Sequence, residues 1–231
     1  MNQKQLFRKA LLSTFPVMAG YLVLGIGFGM IMHAKGFAFV WSPAMSLFIY
    51  AGSMQFVAVS LLSEGASYLT IALTTLLVNA RHLFYGISMV DEYRDTGAKK
   101  PYLIFTLTDE TYSLVVSGGK DLPDRERKQW YFYVSLLDHF WWVLGGTLGA
   151  AAGALLPMNT EGLDFALTAL FVTIVVDQWQ SARFHLPALI GAGASLLCLL
   201  LFGQDSFLIP AMALIAALLF LVRGKEVRDD G

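Results

Sequence analysis

The chain has 231 residues, 56% hydrophobic and 14% charged, with a mean hydropathy of +0.60. A soluble domain of this length carries about 25% charged residues, and here the apolar residues run in long blocks, so the chain reads as an all-α integral membrane protein. The net charge of −1 gives no basic field for nucleic acid, and the alternating strands of a membrane barrel have no counterpart in the sequence.

Met1 to Thr14 holds Lys4, Arg8 and Lys9 ahead of an apolar run that reaches Met32 without a small-residue cleavage site. This predicts a first membrane helix near residues 11–33 rather than a cleaved signal. Pro16 lies near its start, where proline is tolerated. Gly20, Gly25, Gly27 and Gly29 thin one side for a close neighbour. A second helix is predicted near 43–62. Its middle, Tyr50-Ala-Gly-Ser-Met-Gln-Phe56, pairs Gly52 and Ser53 with Gln55. That pattern suits a helix break whose freed backbone groups face a cavity. The alternative is that Ser53 and Gln55 only hydrogen-bond a neighbouring helix.

The third predicted helix, near 68–90, carries the most unusual stretch, Asn79-Ala-Arg-His-Leu-Phe-Tyr-Gly86. An isolated Arg81 deep in hydrocarbon would cost at least ~2.5–3.5 kcal/mol. It therefore needs a partner, a wet cavity or a substrate. On one continuous helix, Thr74, Val78, Arg81, Tyr85 and Ser88 would share a face, with Thr75, Asn79, His82 and Gly86 beside them. The alternatives are a hydrogen-bond knot that fixes packing and an arginine that snorkels to the headgroups.

Asp91 to Lys100 is charged and reads as aqueous. Residues 102–119 are barely long enough to span, and Thr106-Leu-Thr-Asp-Glu-Thr-Tyr112 lies at their centre. Adjacent carboxylates in a low dielectric resist ionising together. Asp109 and Glu110 thus suit a proton carrier or an amine site. The alternatives are an interfacial segment or a re-entrant loop with both carboxylates wet. After a charged loop at 120–129, a helix is predicted over 130–156. Trp141 and Trp142 read as belt residues, placing Asp138 and His139 near the headgroups. Gly145, Gly149 and Gly153 recur every four residues as a packing face. Helices near 163–179 (with Asp177, Gln178 and Gln180 at its end), 186–202 and 207–222 complete a polytopic bundle of about seven or eight spans, with a broken or re-entrant helix among them. The lone Cys198 reads as a buried inert thiol, and its singleness excludes a disulfide. The spacing suggests no metal site, cofactor or ATP-binding motif. The whole chain reads as a single transmembrane domain. Whether 102–119 crosses decides the side of the N-terminus. Both readings place the C-terminal tail, with Arg223, Lys225 and Arg228, in the cytoplasm.

The buried cation and carboxylates suit a zwitterion. Arginine holds a carboxylate through two parallel hydrogen bonds, and a protein carboxylate can hold an amine. Pro16 with the glycines of the first helix, Ala51-Gly-Ser-Met-Gln-Phe56, Thr74-Thr75-Leu-Leu-Val-Asn-Ala-Arg-His-Leu-Phe-Tyr-Gly86 and Thr108-Asp-Glu-Thr-Tyr112 together resemble the large subunit of the AzlC-type (YgaZ-like) branched-chain amino acid exporters. The resemblance implies export of valine, leucine, isoleucine and methionine across the bacterial inner membrane by a secondary, proton-driven transporter. It also implies a small hydrophobic AzlD-type partner subunit. It supplies no substrate residues. The membrane-charge argument alone makes candidates of Arg81, His82, Asn79, Asp109, Glu110, Ser53, Gln55 and Tyr85 for substrate binding or proton coupling, with none for catalysis. Two other classes remain at this level. One is an accessory subunit or channel for another small zwitterion. The other is an intramembrane enzyme, against which stands the lack of a His-Glu-x-x-His type of spacing.

Overall fold

The computed structural model describes residues 1–155, 172, 175, 176, 179, 180, 185–203 and 207–229. The helix expected near 163–179 lies mostly outside the described residues, with Asp177 and Gln178. Every regular element among the described residues is helical. Helix α1 is Gln3–Ala34, α2 is Trp41–Phe48, α3 is Gly52–Ser63, α4 is Tyr68–Val78 and α5 is Arg81–Ser88. A 3-10 turn at Gly97–Lys99 leads into α6, Lys100–Phe105. Then come α7, Asp109–Ser117, α8, Asp124–Leu155, α9, Leu186–Phe202, and α10, Leu208–Asp229. Among the described residues, Gln3–Ala34 alone is long and apolar enough by itself to cross a membrane. Gly52–Ser63, Tyr68–Val78, Leu186–Phe202 and Pro210–Leu219 are shorter apolar helices.

Three segments that read as single spans are each built as two short helices. The second span breaks at Ile49–Ala51. Tyr50 there takes φ 46°, a left-handed conformation costing roughly 1–2 kcal/mol for a residue with a Cβ. The Ala51 N–H donates to Gln55 Oε1 at 3.2 Å, so Gln55 satisfies a backbone donor that the break exposes. The segment at 102–119 breaks at Thr106–Thr108. Thr108 caps α7, its Oγ1 accepting the Thr111 N–H at 3.3 Å. The third break alters a sequence expectation. Residues 68–90 form α4 and α5 rather than one helix, separated by a turn at Asn79–Ala80 in which the His82 N–H donates to the Asn79 carbonyl at 2.9 Å. Asparagine competes for backbone hydrogen bonds and so favours such turns. The face drawn through Thr74, Val78, Arg81 and Tyr85 is therefore not continuous.

The chain forms two compact units. The first takes in Met1–Ala66 and the chain from Val78 through α8. Its spine is α1 packed along α8. Ideal Cβ atoms show why glycine is needed there. One at Gly29 would sit 2.3 Å from the Gly146 carbonyl oxygen, and one at Gly149 would sit 2.1 Å from that of Ile26. Gly20 and Gly27, also expected to thin the helix for a neighbour, have no described atom within 4 Å of such a Cβ. At one end Trp130, Tyr93, Leu103 and Val134 form an apolar core. Further along, Trp142 packs between Tyr21 and Phe28, with ring centroids 5.3 and 6.4 Å away. The second unit takes in Ser67–Leu77 with α9 and α10, which pack together.

Candidate substrate site

The first turns of α3, α5 and α7 meet in the first unit, each just after a break. Arg81 opens α5 and Asp109 opens α7. Arg81 Nη1 lies 2.9 Å from Asp109 Oδ2, and Nη2 donates to Ser53 Oγ in the first turn of α3, also at 2.9 Å. A carboxylate at the N-terminus of α7 is favoured by the helix dipole, typically by 0.3–1 kcal/mol, whereas a cation at the N-terminus of α5 is disfavoured by a similar amount. Asp109 offsets that cost directly. The two side chains are 33% and 32% exposed, so the pair is neither sealed nor fully wet. The pair is also incomplete. Arg81 Nε and Asp109 Oδ1 are buried and have no hydrogen-bond partner among the described residues. One donor and one acceptor thus remain beside an existing ion pair.

Asp109 and Glu110 point to different partners, as neighbours 100° apart on a helix must. Glu110 Oε2 accepts from the Tyr21 hydroxyl on α1 at 2.8 Å. The remaining candidates are spread around this pair. Tyr85 stacks on Tyr112, with centroids 4.5 Å apart and planes at 16°. His82 turns its Nδ1 to the Asn79 carbonyl at 3.2 Å, a contact within its own turn. The Asn79 Oδ1 is buried without a partner among the described residues. Gln55 is fully buried. Its Oε1 takes the Ala51 N–H and the Trp142 Nε1–H, the latter at 3.0 Å, so its role in the structure is to hold a break.

Asp138, which the sequence reading leaves out of the site, is the most deeply buried acid among the described residues. The expectation for Trp142 as a belt residue fails, because it is 2% exposed and packed inside the protein; within the protein Asp138 has no exposed surface and His139 is 6% exposed. Helix α8 begins at Asp124, six residues before the apolar run, so Asp138 lies about four turns inside it. Asp138 Oδ2 accepts from Thr111 Oγ1 at 2.9 Å. His139 Nδ1 lies 3.0 Å from the Tyr102 hydroxyl, and its ring centroid is 4.4 Å from that of Tyr50. The missed signal is periodic. Asp138, Trp142, Gly145 and Gly149 share one helical face, the face whose glycines the same reading assigns to packing. Among the described residues no group of three or more His, Cys, Asp or Glu could hold a metal ion.

The model of the AzlC protein family matches residues 16–156. A branched-chain amino acid transport protein, AzlC, of Bacillus subtilis strain 168 is 46% identical over 218 residues, covering 94% of this chain and 85% of the relative. An uncharacterized membrane protein of Haemophilus influenzae is 43% identical over 199 residues, covering 85% and 81%. The inner membrane protein YgaZ of Escherichia coli K12 is 28% identical over 180 residues, covering 75% and 74%. No solved structure matches the chain.

Proposed function

Since the chain belongs to the AzlC family, whose members are transport proteins of the membrane and not enzymes, we propose that it exports branched-chain amino acids across the bacterial cytoplasmic membrane. Valine, leucine, isoleucine and methionine are the expected substrates. In this reading the chain is the large subunit of a two-component secondary transporter, completed by a small hydrophobic AzlD-type subunit and driven by protons. It is a multi-pass protein of seven or eight spans in a single transmembrane domain, with its C-terminus in the cytoplasm.

The observation that carries the reading is the half-satisfied Arg81–Asp109 pair. An amino acid presents a carboxylate and an ammonium on one carbon. The free Arg81 Nε–H suits the first and the free Asp109 Oδ1 suits the second. The ion pair stands ready before substrate arrives, so the empty site holds no lone charge, and the substrate adds hydrogen bonds without separating opposite charges. Ser53 keeps the guanidinium oriented. The breaks ahead of α3, α5 and α7 would let these short helices shift around the pair, as alternating access around a fixed site requires. Tyr85 reaches the Asp109 carboxylate, Asn79 and His82 flank Arg81 along the chain, and the three would line the path.

The test is efflux of labelled leucine from preloaded cells expressing the chain at matched abundance, with and without the small partner, across an imposed pH gradient. Export that needs the partner and responds to the gradient is expected. Arg81→Ala should abolish it, and Arg81→Lys should too, because an ammonium cannot reproduce the guanidinium fork. Normal export by Arg81→Ala at equal abundance would remove the pair from the substrate path. Export by the partner alone would make this chain an accessory subunit.

A further inference from the structure

We propose that Glu110 and Asp138 share a single proton through a hydrogen-bonded chain made by Tyr21, Thr108 and Thr111. The chain starts at the partly exposed Glu110, beside the Arg81–Asp109 pair, and ends on the fully buried Asp138. Its four links are Glu110 to Tyr21 at 2.8 Å, Tyr21 to Thr108 at 2.7 Å, Thr108 to Thr111 at 3.2 Å and Thr111 to Asp138 at 2.9 Å.

Each hydrogen bond between two oxygens holds one hydrogen. The three hydroxyls of Tyr21, Thr108 and Thr111 supply three. Four links need a fourth, and only a protonated carboxyl at one end can supply it. With the proton on Glu110, every hydroxyl points toward Asp138. With the proton on Asp138, every hydroxyl points back toward Glu110. Passage from one state to the other is balanced. The Glu110 carboxyl gives its proton to the Tyr21 oxygen as Tyr21 gives its own to Thr108, Thr108 to Thr111 and Thr111 to the Asp138 carboxylate. Nothing is gained or lost along the chain, and the hydroxyls must rotate before a second transfer. The count turns on the longest link, Thr108 to Thr111.

The surroundings favour a proton at the buried end. Asp138 Oδ1 is buried without a hydrogen-bond partner among the described residues, a costly position for an ionised carboxylate. The groups facing it are the Tyr21 phenol from α1, the Tyr50 phenol from the α2–α3 break and the Glu110 carboxyl from α7, with His139 next to it on α8. Arg81, on α5, is already held by Asp109. The shared proton itself stands on this geometry. Its use as the coupling proton rests on the transport reading.

The experiment is infrared spectroscopy of the purified full-length protein at neutral pH, reading the carbonyl stretch of a protonated carboxylic acid. The wild type should show it. Glu110→Gln and Asp138→Asn should each abolish it alone, because the new amide donates the fourth hydrogen and the remaining carboxyl can ionise. A wild type without the band has two ionised ends, which overturns the proposal. A band that survives either substitution belongs to one carboxyl only, which also overturns it. If Asp138→Asn fails to fold, Glu110→Gln at the partly exposed end decides alone. Leucine efflux measured beside the spectra separates the two readings. A band without export sinks the transport reading and leaves the shared proton, whereas export without a band does the reverse.

Discussion

Arg81 illustrates how far one side chain can be judged from its contacts. Its pairing with Asp109 is about one-third exposed on both sides, so solvent screens it and it adds no more than about 1 kcal/mol to stability. Asp109→Asn should therefore leave the thermal melting temperature in detergent almost unchanged while lowering leucine export at least tenfold. A large fall in melting temperature with export retained would make the pair structural. A second acidic residue behaves differently. The Lys9 ammonium hydrogen-bonds Asp121 in the loop before α8 and holds its carboxyl below the usual carboxylate range. A carboxyl depressed in the folded state contributes stability above its unfolded value of about 3.9. That contribution is lost as pH falls through the lower folded value. Melting curves taken from neutral pH down to about pH 3 should show the wild type and Asp121→Asn differing at neutral pH and converging in acid. Parallel curves would show that the contact is not kept in solution.

At the level of the helix, the contact between α1 and α8 makes the clearest demand on sequence. Alanine at Gly29 or Gly149 forces backbone apart, since its Cβ would lie 2.1–2.4 Å from main-chain atoms across the seam. Either substitution should destabilise by at least the 1–3 kcal/mol typical of overpacking, read as a lower melting midpoint. Gly20→Ala and Gly27→Ala, with open space at the Cβ, should leave it level or slightly raised. Equal effects at all four positions would mean that helix propensity, not approach, sets the requirement. The four-residue repeat of Gly145, Gly149 and Gly153 is legible in the sequence because small residues on one face have few other uses in lipid. The break before Gly52 is legible for a related reason, since Gly52, Ser53 and Gln55 together offer both a weak point and a cap. The break at Asn79 is not, because apolar residues flank it on both sides and hydropathy does not record a turn in the backbone. Trp142 was misread as a belt residue because tryptophans mark interfaces and buried aromatic clusters alike.

For the molecule as a whole, composition alone is enough for the class. Fourteen percent charge and long apolar blocks leave little but a helical membrane protein, and the exposed apolar side chains agree, with Leu200 76% and Leu201 68% exposed on α9. The number of crossings is a different matter. It depends on whether two short halves such as α6 and α7, of six and nine residues, together pass through the bilayer, and hydropathy averages over that distinction. The glycine seam also bears on how the chain is made. Gly149 follows Gly29 by 120 residues, and ribosomes add about 5–20 residues per second. The first helix therefore waits on the order of ten seconds in the membrane with its bare backbone stripe uncovered. Until its proper neighbour is synthesised, any other helix with a small-residue stripe can occupy it. Slowing synthesis between residues 34 and 124 should thus lengthen that exposure and increase mispairing before α8 is made.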